Sequence, residues 1–314
     1  MNTALEELIT DNRAWADARP RLSVLIPFFG DDPRALVAAL VLEGRGLNGA
    51  VELVLLDDGS ANDALAAEVA SSLADLAMPA RFVRRLRNEG RARGRNRLVS
   101  HARAASVLFL DADMRPDSSR FLANWLDHVE SGEPVMFGGF SLAQAPHSPA
   151  HAVHRQMALK AECLPASRRS QAPEKYLFTC NLMVRRDVFD AFAFDPDFRG
   201  WGWEDVEWAI RVGRAHSIRH IDNPASHLGL DTVAALATKY EQSLANFDRT
   251  ARLHPEVVRQ FPSYRAARLL ARAPLRPYWR PLLKRAALSH FPPARLRGLC
   301  LRIYRAALYA EVVG

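Results

Sequence analysis

The run Phe198-Arg199-Gly200-Trp201-Gly202-Trp203-Glu204-Asp205-Val206-Glu207 sets acids beside two tryptophans and two glycines, and a second acidic cluster, Asp111-Ala112-Asp113, precedes it in the chain. Two acidic sites of different character suit a division of labour. Asp111 and Asp113, spaced i and i+2, can converge on one hard cation; Mg2+ and Mn2+ favour oxygen ligands and keep bonds to waters and phosphates. A metal held there would neutralise charge on a departing diphosphate. Asp205 or Glu204 can take a proton from a bound hydroxyl. Trp201 and Trp203 offer flat apolar faces of the kind on which sugar rings stack. The plainer alternatives are a solvated turn for the first cluster and a helix start beside two core tryptophans for the second. Three acids in four residues exceed what a helix start needs.

Two further segments carry polar chemistry. Asp57-Asp58-Gly59-Ser60 reads either as ordinary turn and cap residues or as an acceptor for the imide N–H of a uracil base. Arg84–Arg97 holds seven arginines together with Gly90 and Gly94. Backbone N–H groups at a helix start, joined by arginine, suit a diphosphate; a solvated helix face explains the same run. Nucleic acid fits it poorly, because the interleaved aromatics of single-strand binders are absent. Of His216, His220 and His227, one is available to complete a metal site.

These residues need a frame. Leu22–Phe28, Val51–Leu56 and Val107–Leu110 are short apolar runs expected to be buried strands, with Arg81–Val83 a further one. Helical spacing fills Pro33–Glu43, Asp63–Leu76 and Arg91–Ala105. Such alternation predicts an α/β fold with a mostly parallel sheet, and ligands bind such sheets beyond the carboxyl ends of the strands. Asp57 and Asp111 both stand there. Further on, a helix is expected over Ser119–Val129, strands over Val135–Phe140 and Phe178–Val184, a helix over Trp203–Arg214 and a strand over Ser217–Ile221. Gln144–Lys175 reads as a mobile loop with one helix. From residue 231 the pattern is helical and broken by prolines, so the expected organisation is a catalytic unit over 1–230 and a helical extension over 231–314.

The bulk properties bound the rest. At 314 residues the chain can bury a sizeable core. Cys163, Cys180 and Cys300 lack ligand spacing and fit a reducing compartment. The start, MNTALEELITDNRAW, is acidic where a signal peptide is basic, and no apolar run suits a membrane span, so a cytoplasmic catalytic unit is expected. The net charge of +7 is unevenly spread: Val257–Gly314 holds twelve lysines and arginines against the single acid Glu311, a net +11, which leaves −4 on the remainder. Basic amphipathic helices lie on anionic membranes. A helical subdomain packed on the body, or a protein partner, accounts for the same segment.

Taken together, the chain resembles an inverting glycosyltransferase of family 2 with the GT-A fold. The resemblance rests on Ser23-Val24-Leu25-Ile26-Pro27, Asp57-Asp58-Gly59-Ser60, Asn88-Glu89-Gly90 with Gly94-Arg95-Asn96, Asp111-Ala112-Asp113, Asn181 before Val184-Arg185-Arg186, and the Trp-Gly-Trp-Glu-Asp run. The last run is similar to the acceptor-side motif of galactosyl- and N-acetylgalactosaminyltransferases, including the chondroitin-polymerase type. Phe28-Phe29-Gly30 stands where the family commonly has Thr-Tyr-Asn. The resemblance implies a Rossmann-like mixed sheet flanked by helices, a UDP-sugar donor, Mn2+ or Mg2+, and a glycan or lipid-linked glycan acceptor. It assigns Pro27, Asp57, Asp58, Asn88, Gly90, Arg95, Asp111 and Asn181 to the donor, with Asp57 on uracil. It assigns Asp113, with Asp111, to the metal, and His227 as a late metal ligand with His220 as competitor. It makes Asp205 the base and Glu204 a sugar-binding acid, with Trp201 and Trp203 facing the acceptor. A lipid-linked acceptor would bring the protein to the inner face of the cytoplasmic membrane. Two rivals stay open: a non-catalytic binding module of this fold, and a sugar nucleotidyltransferase, which would want a glycine-rich basic loop after the first strand.

Overall fold

The structure is a computed structural model and describes residues 7–313. Among the described residues eleven strands run in chain order: β1 Glu7–Asp11, β2 Leu22–Phe28, β3 Val51–Asp57, β4 Ala80–Arg85, β5 Ser106–Leu110, β6 Met114–Pro116, β7 Val135–Phe137, β8 Phe140–Ser141, β9 Asn181–Arg185, β10 Ile218–His220 and β11 Ala225–His227. Eight form the main sheet in the order β1-β4-β3-β2-β5-β9-β7-β10, and β6-β11-β8 form a small second sheet. β4, β3, β2 and β5 pair in parallel, whereas β1 and β9 run against their neighbours. The central strands are buried along their whole length, as expected for a sheet covered on both faces.

The helices Arg34–Gly44, Asp63–Ala74 and Arg91–His101 return the chain between these strands. Asn62 caps the second, accepting from Leu65 N at 3.0 Å. The predicted α/β architecture holds, with local corrections. The edge strand β1 was absent from the sequence expectation. It is pinned by Asn12, whose side-chain amide donates to the carbonyls of Leu73, Leu76 and Met78 and accepts from Ala80 N. The helix predicted to reach Ala105 stops at His101, so that β5 can begin at Ser106. The single strand expected over 135–140 is split into β7 and β8 at Gly138-Gly139. Residues 144–175 hold the helices Ala152–Ala161 and Ala166–Arg169, flanked by two 3-10 turns, rather than one helix in a loop.

The C-terminal helices Val233–Leu253, Pro262–Ala271, Arg276–Leu288 and Ala294–Tyr309 build a second apolar core. Val153 and Ile210 from the preceding part of the chain belong to it, and Trp201 and Trp203 pack at its edge. The stretch carrying the acidic pair is therefore supported from both sides, by the sheet core and by this helical core.

Candidate active site

The strand ends place the first acids. Asp57 closes β3, fully buried, with Oδ1 accepting from Ser60 N at 2.8 Å. Its Oδ2 is buried with no hydrogen-bond partner, Arg84 Nε standing 3.6 Å away. That oxygen keeps its capacity to accept a hydrogen bond. Asp58 faces the opposite loop: its two oxygens accept from Glu89 N at 3.0 Å and Gly90 N at 2.9 Å, and its carbonyl accepts from Asn88 Nδ2. Burial pushes the Asp58 carboxyl up to about 6 although both N–H groups pull it down. The loops meet so closely that Gly59, at φ +80°, has room for no side chain; a β-carbon would lie 2.5 Å from Arg87 C and Asn88 N. Asn88 and Gly90 thus form, with Asp58, the knot that starts the arginine-rich helix Arg91–His101. Pro27 lies one strand over, in register with Leu56.

That helix sends two arginines to the acids. Arg95, almost wholly buried, donates from Nη2 to Asp111 Oδ1 at 2.9 Å, and its Nη1 stands 3.8 Å from Glu204 Oε1. Arg91, the first residue of the helix, lies within electrostatic reach of Glu204, Asp111, Asp205 and Asp113. Sequence reading missed Arg91, because one arginine among seven carries no individual signal; its place directly after the left-handed Gly90 was the available clue.

Beyond β5, Asp113 meets His227 at the end of β11, with Oδ2 3.2 Å from His227 Nε2. Asp113 Oδ1 is buried and has no partner. Burial opposes the Asp113 charge, but the His227 hydrogen bond and charge and Arg91 hold its carboxyl below the ordinary value. Burial likewise opposes the His227 cation, and Asp113 reverses the balance, raising its pKa. The contact is tight: a β-carbon on Gly229 would overlap Asp113 Oδ2. His220, the competing ligand, is turned away, its Nδ1 3.2 Å from Arg169 Nη1 and its Nε2 3.1 Å from the Pro173 carbonyl. His216 packs on Phe192. Among the described residues no three His, Cys, Asp or Glu side chains converge as a complete cage. Asp113 and His227, with one carboxylate oxygen open, fit a metal that draws its other ligands from substrate phosphates and water. Asp111 stands next to this pair but spends Oδ1 on Arg95.

Asn181 begins β9 opposite Leu110, beside Asp111. Its amide donates to Gly139 O at 2.8 Å and Asn223 O at 2.9 Å, tying the split between β7 and β8 to the turn before β11, and its Oδ1 is left without a partner.

The acidic pair sits where the chain turns left-handed at Gly200, Gly202 and Trp203, with φ of +74°, +86° and +75°. Such a conformation at a tryptophan costs about 1–3 kcal/mol and persists only where surroundings impose it. Here Asn246 Nδ2 donates to the carbonyls of Arg199 and Gly202, both at 2.9 Å, and Trp203 Nε1 donates to Tyr309 Oη at 2.9 Å. The Trp203 ring packs among Phe247, Phe261 and Tyr309. Trp201 lies by Tyr240, with Lys239 Nζ 6.0 Å over its ring. Trp203 then ends as the cap of the helix Glu204–Gly213, which puts Glu204 and Asp205 in its first turn. Glu204 is buried with Oε2 unpartnered. Burial first, and the Glu204 charge second, push the Asp205 carboxyl up to about 7 against Arg95, a backbone N–H and Arg91. A carboxyl in that range is matched to proton transfer near neutral pH.

Comparison with known proteins bears on the fold and on the family. A mannosyltransferase from Pyrobaculum calidifontis, solved with GDP-Man and Mn2+, superposes with a TM-score of 0.57 at 18% identity, covering 95% of this chain and 88% of that one. S. aureus TarS 1-349 superposes with a TM-score of 0.51 at 15% identity, covering 93% and 90%. The same TarS fragment in complex with UDP gives 0.51 at 14% identity, covering 93% and 90%. These likenesses establish the GT-A fold. No curated protein sequence matches the chain. The profile described as glycosyl transferase family 2 matches residues 23–192, more than half of the length, and on that match the chain belongs to glycosyl transferase family 2.

Proposed function

We propose that the chain transfers a sugar, with inversion, from a UDP-sugar to a hydroxyl of a glycan or lipid-linked glycan. The observation that carries the proposal is the acidic pair at the start of the helix Glu204–Gly213, bridged through Arg95 to Asp111. Asp205 accepts the proton of the acceptor hydroxyl, whose oxygen attacks the anomeric carbon from the face opposite the diphosphate. Glu204 orients a sugar hydroxyl through its open Oε2. Asp57 Oδ2 accepts from the uracil imide, and Arg91 faces the diphosphate. Trp201 is the stacking surface for the acceptor, while Trp203 holds the loop in its left-handed shape.

Asp113 and His227 would hold Mn2+ or Mg2+, and the ion would supply charge neutralisation to the leaving diphosphate. The unpartnered, buried Asp113 Oδ1 supports this reading. Calorimetry with UDP, GDP, CDP and ADP, each with and without Mn2+, tests the donor class, and NMR of the glycoside product reads inversion. Absence of binding by all four nucleotides would overturn the proposal; preference for GDP would correct the donor.

A further inference from the structure

The basic segment divides into two sets once folded. The inner set is spent on packing: Arg280 pairs with Glu311, Lys284 with Glu241 at 2.5 Å, and Arg276 Nη1 donates to Ala310 O at 3.1 Å. The outer set, Arg259, Arg265, Arg268, Arg272, Arg285, Arg295 and Arg302, is exposed. None of these has a carboxylate partner within ion-pair distance among the described residues.

The apolar side chains divide in the same way. The helices Arg276–Leu288 and Ala294–Tyr309 form a hairpin, latched by Arg297 Nε donating to Ala287 O at 2.9 Å. Its inner side joins the second core through Ala287, Leu301 and Tyr304. Its outer side shows Tyr278 (75% exposed), Leu282, Leu288, Leu296 and Leu299. At the turn, before Pro292-Pro293, Phe291 is 99% exposed. Tyr278, Leu282 and Arg285 follow i, i+4, i+7 and share one helix face. Of the fifteen large apolar side chains that the described residues expose, eight fall between Leu269 and Leu299. A hairpin that combines exposed leucines, an aromatic tip and arginines without carboxylate partners has the composition of a membrane-seated element.

We infer that this hairpin seats the protein on an anionic lipid surface, with Phe291 and the neighbouring leucines entering the headgroup boundary and the outer arginines meeting lipid phosphates. Among the described residues no helix is long and apolar enough to cross a membrane, so the contact is one of seating, not spanning. A second copy of the chain is the poorer occupant, because it would press like charges together. The inference stands apart from the proposed chemistry, since it uses none of the acids.

The test is sedimentation of the full chain with phosphatidylcholine vesicles and with the same vesicles doped with phosphatidylglycerol, at low and at molar salt. Binding is expected to the doped vesicles only, and to weaken with salt. Arg285→Gln with Arg295→Gln should lower the partition coefficient about 25-fold, on the order of fivefold for each near-surface charge. Phe291→Ser should lower it about tenfold or more. All three side chains are exposed, so thermal unfolding should match the parent protein. No sedimentation with anionic vesicles at low salt would overturn the inference, as would retained binding in both variants. It would also fall if the same substitutions abolished a dimer seen by analytical ultracentrifugation.

Discussion

Arg95 joins the two acidic sites: one guanidinium donates to Asp111 at 2.9 Å and stands 3.8 Å from Glu204. A helix following one strand thereby reaches a carboxylate more than a hundred positions later, and against the burial that raises the Asp205 carboxyl the same Arg95 pulls it down.

Arg95→Met should therefore move the acid limb of the pH profile of kcat/KM to higher pH. It should also cost about 3–5 kcal/mol of stability, because Glu204 is left buried without its cation. Chemical denaturation and initial rates across pH check both parts. An unmoved acid limb would separate Arg95 from the base.

Asp205→Asn should keep nucleotide binding and lose about 10²–10⁴-fold in transfer rate. With the carboxyl raised to about 7, the parent enzyme is protonated at this position below that value and inactive, and its rate climbs as pH rises through it. The sign for folding is the reverse. A carboxyl whose folded pKa lies above its unfolded value binds protons more tightly when folded, so its contribution to stability falls as pH rises from about 4 to 7. Asp205→Asn should consequently unfold at a higher temperature than the parent at alkaline pH, which scanning calorimetry would show.

Asp113→Ala and Gly229→Ala should behave alike. The first removes the open oxygen; the second drives a β-carbon into Asp113 Oδ2 and turns the carboxylate from its place. Both should abolish the Mn2+-dependent part of UDP binding in calorimetry and leave any metal-independent part. His220→Ala, by contrast, should retain that part, since its ring is engaged by Arg169 and the Pro173 carbonyl.

The two tryptophans should part company on truncation. Trp201→Ala is expected to raise the acceptor KM with donor binding and folding retained. Trp203→Ala removes a ring held among Phe247, Phe261 and Tyr309 and should cost about 3–5 kcal/mol, read by urea unfolding.

Much of the frame was legible in the residue pattern. Leu22–Phe28 and Val51–Leu56 are mostly apolar runs because both sheet faces are covered, and Asp57 and Asp111 mark strand ends that ligands favour. What escaped reading depended on partners far along the chain. Glu7–Asp11 is too short and polar to announce a strand and exists through its pairing with β4 and the Asn12 bonds. The choice between His220 and His227 turned on which way each short strand faces, and only the meeting of β6 with β11 brings His227 to Asp113. Trp203 looked like a sugar platform; nothing local reveals that its indole N–H answers to Tyr309, a hundred and six positions away.

That last bond bears on how such proteins recombine. The loop that presents the acids is finished by Asn246, Phe247, Phe261 and Tyr309, all contributed by the chain beyond residue 231. A chimera joined at residue 230 would inherit the acid-bearing loop from one parent and its aromatic nest from another. A joint placed ahead of Phe198 would transmit Trp201, Trp203 and their supports as one heritable cassette, and shuffled libraries should accordingly yield active proteins far more often from the earlier crossover.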